Sequence, residues 1–188
     1  MLDVDALCAG YSGPVVGPLS FHVDAGETVG LWGPNGSGKS TLLKAIIGTA
    51  GLFGGRIHRA HGLTIAYQGQ QPRRLPSMPI RARELLDALG VTPDASCPQR
   101  LARLLNTRID RLSGGQFQLL TVWSRLAGNA RMVCLDEPTN NLDPQGVVAL
   151  GELLTEPHPD RGVLLVSHER TFMERVCDRI VEVQSWSG

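Results

Sequence analysis

The run Gly33-Pro34-Asn35-Gly36-Ser37-Gly38-Lys39-Ser40 constrains this chain more than any other stretch. It fits G-x-x-x-x-G-K-[ST], a pattern that works only as a loop between a strand and a helix. The flanks agree: residues 29–32 read as a short apolar strand, 41–47 as a helix, and Gly48 as a left-handed stop. Glycines let backbone N–H groups turn inward around phosphate oxygens, and the helix N-terminus adds positive dipole. Gly33 to Ser40, with Thr41 opening the helix, form the candidate phosphate cradle. In this motif Lys39 reaches the β- and γ-phosphates of a nucleotide, and the Ser40 hydroxyl ligates Mg²⁺.

Composition narrows the remaining possibilities. At 188 residues the chain is expected to form one domain with a sizeable core. Lys+Arg and Asp+Glu both number 18, so no net positive field draws it to nucleic acid or anionic lipid. No apolar run approaches the roughly 18–20 residues of a membrane span, and no signal-like segment opens the chain. A soluble chain is expected, with any membrane role exerted through a partner. Cys8, Cys97, Cys134 and Cys177 are widely spaced without C-x-x-C, as in reduced cytosolic proteins rather than zinc sites.

Three stretches differ in character. Residues 1–70 alternate strand-like runs and turns, ending in a strand at 63–67. Residues 71–111 hold Pro72, Arg73, Arg74, Pro76 and Pro79, then two short amphipathic helical patterns. One sets Leu85, Leu86 and Leu89 on a face before Gly90, the other Leu101, Leu104 and Leu105. Residues 112–188 return to strand–helix alternation. Residues 132–135 and 163–166 are apolar without alternation, the mark of strands covered on both faces. The expected organisation is an α/β nucleotide-binding core, 1–70 and 112–188, with a helical lobe at 71–111.

Asp136-Glu137 follows the apolar run 132–135 directly. A carboxylate at the C-terminal end of a buried strand can hold Mg²⁺ beside phosphates in such a cradle, and the adjacent Glu137 can polarise an attacking water. A solvated loop or a helix cap is the commoner fate of an Asp-Glu pair. The phosphate loop upstream and Pro138 downstream favour the catalytic reading.

Leu112-Ser113-Gly114-Gly115-Gln116 separates this chain from other phosphate-loop proteins. Ser113 can cap the helix that follows, and two glycines let its N-terminus approach an anion closely. The motif is the LSGGQ signature, and the chain resembles ATP-binding cassette (ABC) ATPases over nearly its whole length. The resemblance implies a P-loop NTPase core with an ABC-type β-subdomain and a short inserted α-helical subdomain. It also implies that Ser113, Gly114, Gly115 and Gln116 meet the γ-phosphate of ATP held by the other subunit.

Further motifs of that family appear in order. Tyr11 stands where an aromatic residue stacks on adenine. After the strand at 63–67, Gln68, Gln70 and Gln71 compete for the Q-loop position, and Y-x-x-Q spacing favours Gln70, a Mg²⁺ sensor in similar proteins. Asn140-Asn141-Leu142-Asp143 resembles the D-loop, where Asp143 communicates across a dimer; as an N-cap before Pro144 it also has a structural reading. Val166-Ser167-His168 resembles the H-loop, in which His168 bonds the γ-phosphate and positions the water of Glu137. Ser40, Gln70 and Asp136 are then the metal residues, and Glu137 and His168 the catalytic pair. One departure stands out: the family usually carries arginine soon after the signature, where this chain has Gln118-Leu119 and then Trp123-Ser124-Arg125.

The resemblance implies an ATP- and Mg²⁺-dependent ATPase that is a homodimer when ATP is bound. It would act at the cytoplasmic face of the membrane through transmembrane permease subunits, with no nucleic-acid partner. Residues 72–80 would face that permease, with Leu75, Met78 and Ile80 lining a groove for a coupling helix; packing as ordinary lobe core is the other reading of these three. Residues 71–111 bear a faint likeness to zinc and manganese uptake ATPases, on which no cargo is assigned. Residues 135–143 and 166–172 instead resemble soluble ABC-F translation factors, which carry two cassettes and a charged linker. A soluble ABC-F-like ATPase acting on ribosomes or another non-membrane partner is therefore the alternative, with one cassette and zero net charge against it.

Overall fold

A computed structural model of the protein describes residues 1–70, 79–94 and 97–186. Eight strands and six α-helices alternate along them: β1 Leu2–Gly10, β2 Pro14–Val23, β3 Thr28–Trp32, α1 Lys39–Ile46, β4 Gly51–Arg59, β5 Ile65–Gln68, α2 Ala82–Ala88, α3 Gln99–Ala102, α4 Gly114–Ala127, β6 Met132–Asp136, α5 Pro144–Thr155, β7 Gly162–Ser167, α6 Arg170–Val176 and β8 Arg179–Glu182. A 3₁₀ turn at Ile109–Arg111 precedes α4.

Two sheets divide the strands. β2-β1-β4 is antiparallel, and β5-β6-β7-β3-β8 is parallel at each of its pairings. The expectation for 132–135 and 163–166 holds, since every residue of β6 and β7 is buried. Parallel strands need crossover helices, and those helices cover both faces. One face packs with Leu119, Leu120, Trp123, Leu150, Leu153 and Phe172 of α4, α5 and α6. The other packs with Leu42, Leu43 and Ile46 of α1, which the antiparallel sheet closes with Leu2, Val4 and Leu7.

α1 has only eight residues, too few to hold a helix in water on its own. Its three large apolar side chains are fully buried, each worth about 1.5–3 kcal/mol on leaving water, and that burial fixes the helix. Gly48 adopts φ 83°, as the sequence predicts for the stop.

The strand predicted at 63–67 begins two residues later, at Ile65, because Leu63 donates its N–H to Ala60 in a turn. The pattern Leu101, Leu104, Leu105 yields just the four helical residues of α3. Beyond it the chain folds back along the start of α2: Ala82 and Arg83 donate to the carbonyls of Thr107 and Leu105. Those apolar side chains therefore pack from a turn and not from a longer helix. Leu75 and Met78 lie outside the described residues.

Candidate functional site

The central position of β3 explains where the site forms. β3 lies between β7 and β8, so the loop after it opens at the C-terminal edge of the sheet, beside the ends of β6 and β7. The loop folds tightly there. Gly38 has φ 90°, and a Cβ on it would lie 2.5 Å from Val16 Cβ, so only glycine fits. Lys39 is buried, and its ammonium donates to the carbonyl oxygens of Gly33 at 2.7 Å and Pro34 at 2.9 Å. The ammonium therefore spans the mouth of its own loop. Ser37 Oγ is buried in this loop with no hydrogen-bond partner.

Two segments distant in sequence meet at Ser40. Its Oγ donates to Asp136 Oδ1 at 2.8 Å, and Gln70 Nε2 donates to Ser40 Oγ at 3.3 Å. Tyr67 directs its hydroxyl to Asp136 Oδ2 at 3.4 Å. The three metal candidates, Ser40, Gln70 and Asp136, are thus brought together. Of the competing glutamines, Gln68 is buried with neither amide atom partnered, and Gln71 lies outside the described residues. Gln70 alone of the two described reaches the site.

Burial dominates the electrostatics. It raises the Asp136 pKa above its ordinary 3.8; the Ser40 hydroxyl opposes the shift and the neighbouring Glu137 charge adds to it. Burial, with help from Asp136, pushes the Tyr67 phenol up to about 12. That phenol is neutral at physiological pH and acts as a hydrogen-bond donor.

Glu137 is held in an unusual way. Its φ is 49°, a conformation that costs a non-glycine residue about 1–3 kcal/mol and persists only where the surroundings fix it. Its N–H donates to Val166 of β7 at 2.9 Å, and its Oε2 lies 2.8 Å from His168 Nδ1. The other oxygen, Oε1, is 4.0 Å from Lys39 Nζ. Loop, β6 and β7 therefore converge on one buried carboxylate.

An open cavity of about 200 Å³ lies over these groups, lined by Val15, Asn35, Gly36, Gly38, Lys39, Ser40, Thr41, Gln70 and Glu137. Val15 was not legible in the sequence, since a lone valine in a strand carries no signal. Tyr11 is exposed in the β1–β2 turn and does not line this cavity. Ser113, Gly114, Gly115, Gln116 and Asp143 lie outside it as well. They form a face of their own: a Cβ on Gly115 would sit 3.3 Å from Asn141 O, beside the loop that ends at Asp143. Ser113 caps α4 and exchanges bonds with Gln116 in a capping box, and Asp143 caps α5 through Gly146 N–H at 2.6 Å.

The departure after the signature has a structural account. Gln118 is buried and donates to Pro138 O at 3.2 Å, tying α4 to the loop after Glu137. Leu119 and Trp123 of the same helix are buried in the core.

The residues present suit a nucleotide and Mg²⁺. Hydroxyl, carboxylate and amide oxygen are hard donors of the kind Mg²⁺ prefers, and Asp136 is a desolvated carboxylate whose charge a cation would compensate. The buried Lys39 ammonium holds only neutral carbonyls at hydrogen-bonding distance.

Residues 16–140 match the family model for ABC transporters. The chain belongs to the ABC transporter family. Relatives of this family include a zinc import ATP-binding protein, ZnuC, from Paracoccus denitrificans, 38% identical over 175 residues that span 89% of this chain and 69% of the relative. The ZnuC of Roseobacter denitrificans is 34% identical, over 96% of this chain and 74% of the relative. Among solved structures, an ATP binding subunit of an ABC transporter superposes with TM-score 0.77 at 28% identity, covering 98% of this chain and 86% of that one. Among the described residues, no helix is long and apolar enough to cross a membrane.

Proposed function

We propose that this chain is the ATP-hydrolysing subunit of an ABC importer, the relatives pointing to a metal ion such as zinc as cargo. The observation that carries the reading is the meeting of Ser40 on α1 with Asp136 on β6, beside a Glu137 held by His168. The resemblance to ABC-F factors in the C-terminal half is outweighed by importer relatives that align along most of the chain.

Lys39 would exchange the carbonyls of Gly33 and Pro34 for phosphate oxygens, and the loop N–H groups would add their own donors. Ser40, Asp136 and Gln70 would hold Mg²⁺, which supplies charge neutralisation on the phosphates when bound. Glu137 would orient a water and take its proton as the water oxygen attacks the γ-phosphorus. The bond to the bridging oxygen then breaks, leaving ADP and phosphate. His168 would keep Glu137 in place. Tyr11 would stack on adenine.

Ser113 to Gln116 and Asp143 lie outside the cavity of their own chain, so a complete site would take them from a second copy. Residues 71–111 would form the lobe that meets the permease, while Ile80 packs partly buried against the chain's own core. The test has two arms. The purified chain should hydrolyse ATP only with Mg²⁺ present, and a polytopic membrane protein should co-purify with it from its native host. Recovery of ribosomes in place of a membrane protein would overturn the transporter reading.

A further inference from the structure

The chain beyond β8 passes the start of the phosphate loop and pairs with the beginning of β2. Val183 donates its N–H to Trp32 O at 2.7 Å, and its carbonyl crowds Gly33. Ser185 then pairs antiparallel with Val16, and Trp186 N–H donates to Val15 O at 2.9 Å. This register sets Trp186 directly opposite Val15, and residues opposite one another in an antiparallel pair project from the same face. Val15 lines the cavity above the phosphate loop.

Exposure supports a ligand at this edge. Seven large hydrophobic side chains are exposed among the described residues, and two of them, Val15 and Trp186, pair at the N-terminal end of β2, with a third, Tyr11, in the turn that precedes it. Tyr11 sits in the turn that Gly10 and Pro14 close, four residues before Val15. Trp186 retains 39% of its surface in water and Tyr11 58%, an apolar area that a planar heterocycle would cover.

We propose that Trp186 forms a second aromatic wall of the base-binding end of the nucleotide site, across Val15 from Tyr11. The inference rests on the ATP-binding reading above. An indole offers a wide π-face and an N–H donor, the combination that holds a purine by stacking and edge contact. It would act on the base alone, since the phosphates are held by the loop.

Inorganic tripolyphosphate, which lacks the base, separates this role from a general loosening of the loop. Calorimetry should show ATP binding Trp186→Ala about 5- to 20-fold more weakly than wild type, with tripolyphosphate affinity unchanged. Trp186→Phe should recover most of the loss. ATP should also quench the tryptophan fluorescence of the wild type more than that of Trp186→Phe, in which Trp32 and Trp123 remain. Equal ATP affinity in wild type and Trp186→Ala would overturn the proposal, as would a parallel loss for ATP and tripolyphosphate. A wild type that binds tripolyphosphate but not ATP would remove both this wall and the nucleotide reading.

Discussion

Glu137 and His168 meet through a single oxygen: Oε2 of Glu137 lies 3.3 Å from the backbone N of His168 and 2.8 Å from its Nδ1. A carboxylate only accepts, so Nδ1 carries the proton and Nε2 is left as an acceptor. The pair joins the end of β6 to the end of β7 at the point where an attacking water would be activated.

Glu137→Gln keeps the shape of the side chain and removes the base. Turnover should fall ~10²-fold or more while ATP affinity stays within a few-fold of wild type, the scale of losing a general base. Single-turnover hydrolysis alongside ATP calorimetry measures both. Undiminished turnover would take Glu137 out of the reaction.

The same variant should trap the assembled form. Light scattering of Glu137→Gln should give the mass of two chains with saturating ATP and a lower mass without it. A mass that does not respond to ATP at high protein concentration would speak against a sandwich built from two copies.

Asp136 should weaken the fold it serves. Its pKa is raised in the folded state, so its favourable contribution is present below its ordinary 3.8 and is lost as pH rises through the folded value. At neutral pH the buried charge is a net penalty. Asp136→Asn should therefore raise the melting temperature of the nucleotide-free protein at pH 7 while abolishing the Mg²⁺-dependent gain in ATP affinity. At pH values below 3.8 the difference in melting temperature should shrink. A lower melting temperature at pH 7 would mean that the Ser40 and Tyr67 hydrogen bonds outweigh desolvation.

Ser113 can be tested for its cap separately from any partner contact. Ser113→Ala should cost about 1 kcal/mol and lower the melting temperature by roughly 2–4 °C, the usual loss for an N-cap in a domain of this size. Ser113→Asp restores an acceptor for Gln116 N–H and should recover that stability. If the signature meets a phosphate across a dimer, ATP-driven assembly should still fail in Ser113→Asp, because an added carboxylate repels it.

How much of this was readable beforehand depends on the range of the interactions. β6 and β7 were legible because a strand covered on both faces needs only a run of apolar residues, as in Met132 to Leu135. Asp143 was legible as a cap because Pro144 marks the first turn of α5. Gln70 emerged from local spacing, and the fold separates it from Gln68 by sending one to the cavity and the other into the interior. Long-range pairings left no such trace. Nothing in the sequence says that Val15 and Trp186 lie side by side, or that Gln118 bonds Pro138. The turn after α3 was misread as helix because its leucines have helical spacing, whereas its backbone partners lie back at Ala82 and Arg83.

The two carbonyl bonds of Lys39 have a consequence for which ligands this protein accepts. The side chain already has partners, so an incoming anion must compete with the loop's own oxygens for the same ammonium. A nucleoside monophosphate would displace those carbonyls with only one phosphate group in return. A triphosphate adds contacts along the whole loop for the same displacement. The resting loop should thereby favour ligands with more phosphate groups, so that nucleoside monophosphates compete poorly for the site.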